Sequence, residues 1–539
     1  MRLISYETRD PVNVPSPTSV DSDSQKTSSA DSVDVPTHKR RLVWGGRTFR
    51  FNLKSFRLND GFSVRRFSVT EGAFLLMLAL ITSRVLGVVR QVIFNALFGV
   101  QAEANAYYAA IRLPDTLFNL VAGGALIAAF VPVFLSCEKN EGEAEAWRLT
   151  SIIFNMMLVI TTVLALLGEW LAPDFVSKIL VPGYPPAVQA LTIQLTRIML
   201  IQPLILGLGT VITAILNSRR QFLLPALSFA VYNFGLIGGL LVSKFVPGVG
   251  IYGPTYGTIV AVTLQLLVQL PGIFKQGVRY SFDWNFFHPG VRQVLYLLLP
   301  NALAVGVSYV GNIVDTNFAS FLPDQASLSA LHNAELLQAL PVALIGQAVG
   351  QSLLPHLAMQ AAAGRYFRMR QLAIKVMGAS ILLTVPAAIL LALFGKTMIH
   401  LLFQHGAFDA HASTLTNLAL LGYACSLPGQ AAGSLIAGGF YALKDAWTPF
   451  FTNTYALIVR WCFLFILFHL LSPSFSILAV PLSSAISAAT EALLMFIILL
   501  FRVRKRLKLD KGIARLQRYR AYLQSAKLAT VPLATNSDS

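Results

Sequence analysis

Ser83, Gly87 and Arg90 stand at i, i+4 and i+7 in an apolar run, so a helix carries them on one stripe, with Arg84 one residue round. Two guanidinium groups beside a glycine can line one cavity and hold a pyrophosphate through forked hydrogen bonds. The competing use of the same arginines is to pair with interior acids or carbonyls and hold helices together. Arg112 and Asp115 lie three apart across Pro114, a spacing that allows a local ion pair. The proline also frees a carbonyl and can bend the helix into a cavity. Asp315, Glu335, Arg460 and Glu491 form a second set of charges in apolar surroundings. An Asp315–Arg460 pair would satisfy both groups; alternatively, the acids bind protons or cations that drive a cycle. Arg197 has no acid within a helical turn and reads as a structural pair or a headgroup contact. His332 and His356 read as satisfied polar residues rather than proton carriers. Three cysteines at unrelated spacings offer no disulfide framework or metal pattern, and there is no GxxxxGK[ST] phosphate loop. The chemistry expected is binding and release, without covalent catalysis, a metal or a cofactor.

The elements that position these charges are membrane helices. Of 539 residues, 55% are hydrophobic and 12% charged, with a mean hydropathy of +0.62. Soluble domains carry about 25% charged residues, so this composition excludes a soluble protein. The formal charge of +17 does not mark a nucleic-acid binder, because most of it sits at the ends. Residues 1–70 hold 12 Lys/Arg against 7 Asp/Glu, and residues 502–539 hold 10 against 2, where they can meet anionic lipid headgroups. Residues 1–37 read as disordered. Residues 38–66 mix nine basic side chains with Trp44, Phe49, Phe51, Phe56 and Phe62, as an interfacial anchor or a solvated basic tail would. The first apolar run begins near Gly72, too late for a cleaved signal peptide.

A template of about 20 apolar residues gives twelve spans: 72–98, 104–135, 149–172, 187–216, 222–244, 251–275, 290–322, 327–359, 371–395, 412–440, 447–470 and 475–501. Loops after even-numbered spans hold twelve Lys/Arg and loops after odd-numbered spans hold three, which sets both termini in the cytoplasm. Three pairs of stretches repeat at an offset of 223 or 224: Ile93–Gly99 with Asn317–Pro323, Gly123–Pro132 with Gly346–Pro355, and Arg219–Pro225 with Leu443–Pro449. A parallel repeat makes two six-helix lobes, related by a pseudo-twofold along the membrane normal, around a cavity that can open to either side. The expected architecture is all-α and polytopic: a tail over 1–70, lobes over 71–284 and 285–501, and a basic tail over 502–539.

SRVLGVVRQ (Ser83–Gln91), LTRIML (Leu195–Leu200), ILNSRRQFLLPAL (Ile215–Leu227) and LFQHGAFD (Leu402–Asp409) resemble the MurJ/MviN lipid II flippases of the multidrug/oligosaccharidyl-lipid/polysaccharide exporter superfamily. The resemblance runs from about Thr70 to Phe501. It implies a monomeric flippase of the bacterial inner membrane that carries an undecaprenyl-pyrophosphate-linked peptidoglycan precursor (lipid II) by alternating access, in cell-wall biogenesis. It marks Ser83, Arg84, Arg90, Asn105 and Arg112 as candidate cargo contacts. Departures accompany it: Gln91 and Asn105 replace acids, Phe118, Asn119 and Gly123 replace an arginine-rich stretch and a glutamate, and Leu336 after Glu335 replaces an arginine. The segment that lines a family sodium site carries Arg460 and Leu464, and a fixed positive charge there repels sodium. Alternative readings are an exporter of another polyprenyl-linked glycan or of an amphipathic substrate, and a membrane scaffold without transport. A membrane glycosyltransferase is ranked last, because the outward loops offer only scattered acids such as Asp324 and Asp409.

Overall fold

The computed structural model describes residues 43–44, 47–48, 69–343, 359, 366–443, 445 and 447–529. The expectations for residues 1–37 and most of 38–66, and for His356, lie outside the described residues. The chain divides into two compact units, 1–60 and 61–539. In the first, β1 (Val43–Trp44) and β2 (Arg47–Thr48) pair antiparallel, with Val43 opposite Thr48 and Trp44 opposite Arg47.

The described elements of the second unit are all helices. The order begins α1 (Val69–Phe98), α2 (Ala102–Ala110), α3 (Arg112–Val121), α4 (Gly124–Glu141) and α5 (Glu143–Phe175). It continues α6 (Pro186–Met199), α7 (Gln202–Ser218), α8 (Leu223–Phe245), α9 (Tyr252–Phe274), α10 (Pro289–Ser320) and α11 (Ser327–Pro341). The last five are α12 (Tyr366–Phe403), α13 (Ala410–Ala424), α14 (Leu427–Ala442), α15 (Trp447–Leu470) and α16 (Ala479–Ala529).

Several expected spans are broken, each near a proline that lacks the N–H needed to continue the helix. Pro114 stands in the first turn of α3, Pro203 in that of α7 and Pro428 in that of α14. Among the described residues, ten helical stretches are long and apolar enough to cross a membrane, against the twelve expected. Two expected spans account for the difference. The span at 327–359 is described only as far as residue 343 and at residue 359. The span at 412–440 is split between α13 and α14, of 15 and 16 residues. The expected boundary at 501/502 falls inside α16, which runs on through 51 residues without a break.

Large apolar side chains such as Trp170, Leu382, Leu393 and Phe465 point outward, as lipid-facing surfaces allow. A buried cluster draws Phe94, Phe98, Tyr107, Tyr108, Leu331, Leu337, Phe403, Phe408 and Tyr423 together from α1, α2, α11, α12, α13 and the connection between the last two. Two connections seat against the ends of distant helices. Gly183 N–H donates to Ser320 Oγ at 3.1 Å, and Ala407 N–H donates to the Ala96 carbonyl at 2.9 Å. At Gly406 (φ +61°) a Cβ would lie 2.3 Å from the Ala96 oxygen, so only glycine permits this approach.

Candidate functional site

A cavity of about 170 Å³ is lined by Arg84 of α1, Asn312 of α10, Glu335 and Gln338 of α11, Tyr423 of α13 and Arg460 of α15. Arg460 forms an ion pair with Asp315, and both side chains are largely buried. The pair uses one guanidinium nitrogen; Arg460 Nε and Asp315 Oδ1 have no partner among the described residues. Glu335 is partly buried and Arg84 exposed.

The structure separates residues that the sequence grouped. Ser83 belongs to a helix contact: Asn233 Nδ2 donates to Ser83 Oγ at 3.1 Å, and Gly87 faces the same asparagine. The stripe that joins Ser83 to Arg90 is thus partly a packing face against α8, and Arg84, one residue round, reaches the cavity. Arg90 is partly buried. Asn105 is buried and fully used: its Nδ2 donates to the Val100 and Gln101 carbonyls at 2.8 Å. Its Oδ1 accepts from the Ser329 N–H at 2.8 Å and the Ser329 hydroxyl at 2.9 Å.

Arg112 and Asp115 form no ion pair, contrary to the local pairing that their spacing allowed. Asp115 instead accepts from Gln202 Nε2 of α7 at 2.9 Å, and Arg112 Nε is buried without a partner among the described residues. Glu491 does not join Arg460. It lines a separate cavity of about 340 Å³ with Ser308, Ser434, Tyr441 and Asn453, so of the four charges grouped in the sequence Arg460, Asp315 and Glu335 come together without Glu491. Arg197 finds Glu169 of α5 at 3.2 Å, a partner that a search within one helical turn misses. His332 stacks on Tyr108 with ring centroids 4.1 Å apart.

Sequence reasoning missed a buried amide network. Gln91 Nε2 donates to Tyr108 Oη at 2.5 Å and to Asn333 Oδ1 at 2.8 Å, and Asn95 Nδ2 donates to the same Asn333 oxygen at 2.8 Å. The signal available was three amides within apolar runs, each of which needs partners in a membrane.

Glu141, Glu145 and His288 bring three ligand atoms within 4.8 Å of one another. The histidine is committed otherwise. Its Nδ1 accepts the Gly290 N–H at 3.0 Å, which puts the ring proton of the neutral tautomer on Nε2, facing Glu145 at 3.0 Å. A metal needs that nitrogen bare, so His288, held by Glu145, reads as the cap that fixes the start of α10.

Residues 94–537 match the family model described as "Lipid II flippase MurJ". A Burkholderia cenocepacia protein of that name is 30% identical over 428 residues, which cover 77% of this chain and 80% of that one. A solved structure titled "Lipid II flippase MurJ, inward closed conformation" superposes with a TM-score of 0.68 at 26% identity, over 80% of this chain and 87% of that one. An inward-facing multidrug transporter of the MATE family superposes at 0.66 with 12% identity, over 78% of this chain and 96% of that one, a likeness of fold.

Proposed function

Because the chain belongs to the lipid II flippase MurJ family, we propose that it moves lipid II, the undecaprenyl-pyrophosphate-linked peptidoglycan precursor, across the inner membrane by alternating access. It is a multi-pass membrane transporter and not an enzyme. The observation that carries the reading is the family match over most of the chain, joined to a charged cavity among its helices.

The finer arrangement is two six-helix lobes about a pseudo-twofold. Support comes from contacts at the offset of the sequence repeat. Asn105 bonds Ser329, 224 positions on, and Tyr108 stacks on His332 at the same spacing. A residue touching its own repeat-mate is what an isologous axis produces. Ala96 and Ser320 are repeat-mates too, as are Gly183 and Ala407, and their two contacts are reciprocal. The loop charges support cytoplasmic termini. On that orientation the Gly183 and Ala407 contacts form an outward seam. Cysteine-accessibility labelling that puts Arg220 outside would overturn the orientation.

Arg84, with Arg90 and Arg112 nearby in chain order, supplies positive charge for the pyrophosphate. Asn105 and Ser83 act in helix contacts. Arg460 holds the position of a cation beside Asp315 permanently, so drive comes from elsewhere than sodium at that point. The basic ends associate with anionic headgroups, and the transporter works as a monomer. The second reading, an exporter of another polyprenyl-linked glycan, is favoured by Phe118, Asn119 and Leu336 where the resemblance implies arginines.

The test is complementation in cells depleted of their own lipid II flippase. Restored growth and shape is expected. Failure at normal membrane abundance overturns the reading, and rescue confined to export of a different lipid-linked glycan favours the second.

A further inference from the structure

The cavity that holds Arg84 and Arg460 also holds a carboxylate, which an anion site does not need. Glu335 is the acid that lines this cavity among the described residues. The other intramembrane acids are engaged or placed elsewhere: Asp315 pairs with Arg460, Asp115 accepts from Gln202, and Glu491 lines the second cavity. Among the described residues neither Glu335 nor Arg84 takes part in an ion pair. With Asp315 balancing Arg460, one positive charge and one negative charge are left facing a common space.

The size of that space sets its role. At about 170 Å³ it is well below the roughly 300–1,000 Å³ of sites that engulf a small ligand, so it must widen to admit a glycan headgroup. In the contracted form the arginines need an opposite charge nearby, because uncompensated charge in a bundle of this kind is costly. An acid fixed in the wall meets that need in every cycle without a mobile ion.

We propose that Glu335 is the internal counter-anion of the cavity: it neutralises Arg84 and the open side of Arg460 when the cavity is contracted, and the anionic group of the cargo displaces it. The proposal rests on the anion-binding reading of the cavity. Glu335 therefore opposes cargo binding and favours the return of the transporter after release. A carboxylate in that place lowers affinity and raises turnover, as binding energy spent only where it is needed requires.

The experiment uses the full chain and Glu335→Gln, with inorganic pyrophosphate as the binding probe in detergent and a fluorescent undecaprenyl-pyrophosphate-linked glycan in vesicles. Glu335→Gln is expected to bind pyrophosphate about tenfold more tightly, since one like charge is removed from the site. Its first turnover is expected to be retained, while flipping at saturating cargo slows several-fold. Adding Arg84→Gln should erase most of the affinity gain, because the two charges act on each other. Equal or weaker pyrophosphate binding by Glu335→Gln, while the natural chain flips cargo, overturns the counter-anion alone. Weaker binding of the lipid-linked glycan with unchanged pyrophosphate affinity means that Glu335 holds a cationic group of the cargo, and also overturns it. No pyrophosphate binding by either protein overturns the anion site and the counter-anion together.

Discussion

Asn105 and Ser329 hydrogen-bond to each other twice, the asparagine Oδ1 accepting from the Ser329 N–H at 2.8 Å and from its hydroxyl at 2.9 Å. They are 224 positions apart, the offset at which the sequence repeats itself. The contact ties α2 to α11 on the proposed axis, inside a buried layer that also holds Tyr108 and Asn333, with the partly buried His332 stacked on Tyr108.

Removing the asparagine leaves a buried N–H and hydroxyl unpaired. Asn105→Ala should lower stability by about 1–3 kcal/mol, the desolvation cost of such a group. Ser329→Ala, which keeps its N–H bond to Asn105, should cost less. Thermal unfolding in detergent of both variants and their double mutant checks this: the double should cost less than the two singles together. Strict additivity would show that the hydroxyl bond contributes nothing.

Gly99 and Gly406 adopt φ of +57° and +61°, and a Cβ at either would stand 2.3 Å from a backbone oxygen across the seam. Gly99→Ala and Gly406→Ala should therefore part Ala96 from Ala407 and shift the population away from the arrangement in which these two segments meet. Gly438, where a Cβ meets nothing within 4 Å, is the control. Cysteine labelling near Ala407 should rise in the first two variants and stay level in Gly438→Ala.

Arg460→Leu strands the Asp315 carboxylate, and breaking a buried pair from one side costs about 3–5 kcal/mol. Asp315→Asn introduced with it should recover much of that loss, read again by thermal unfolding. In vesicles with an imposed sodium gradient, the natural chain should show no sodium dependence, and Arg460→Asn should acquire it. Strong sodium dependence in the natural chain would sink the tethered-cation proposal.

Outside the spans, Arg148 Nε donates to Asp283 at 2.5 Å, and that bond with the Asn285 N–H holds the Asp283 carboxyl below the usual carboxylate range. A lowered folded pKa adds stability that is complete above the unfolded value of about 3.9 and is lost as pH falls through the folded value. The connection around Asp283 should thus stay protected from proteolysis at neutral pH and loosen only in strong acid. Asp283→Asn should loosen it at neutral pH as well.

The membrane class was legible because apolar runs and charge deficit are properties of composition. The proposed repeat starts from short apolar and turn patterns that recur at nearly one offset in the sequence, as Asn317–Pro323 does with Ile93–Gly99. The partners of single charges were not. Arg197 meets Glu169 and Asp115 meets Gln202 across helices, and no periodicity along one helix contains that information. Glu491 and Arg460 share apolar surroundings in sequence yet line different cavities, because they stand at different levels along the bundle: Asn453 of α15 lies beside Glu491 of α16, whereas Arg460, two turns on, lies beside Ser484. Helix breaks are legible only as prolines: Pro114 marks a bend in the sequence, whereas the interruption at Ile111 precedes it by three residues.

The most direct test of the account is flipping of a fluorescent undecaprenyl-pyrophosphate-linked glycan in vesicles that hold the purified chain. The natural chain should move the lipid between leaflets. Arg84→Ala with Arg90→Ala should slow it by an order of magnitude or more, since each charged hydrogen bond lost is worth roughly 1.5–3 kcal/mol. Arg→Lys at both positions should recover only part of the rate, because ammonium lacks the fork. Undiminished flipping by the double alanine variant at equal protein density, or none by the natural chain, would contradict the account.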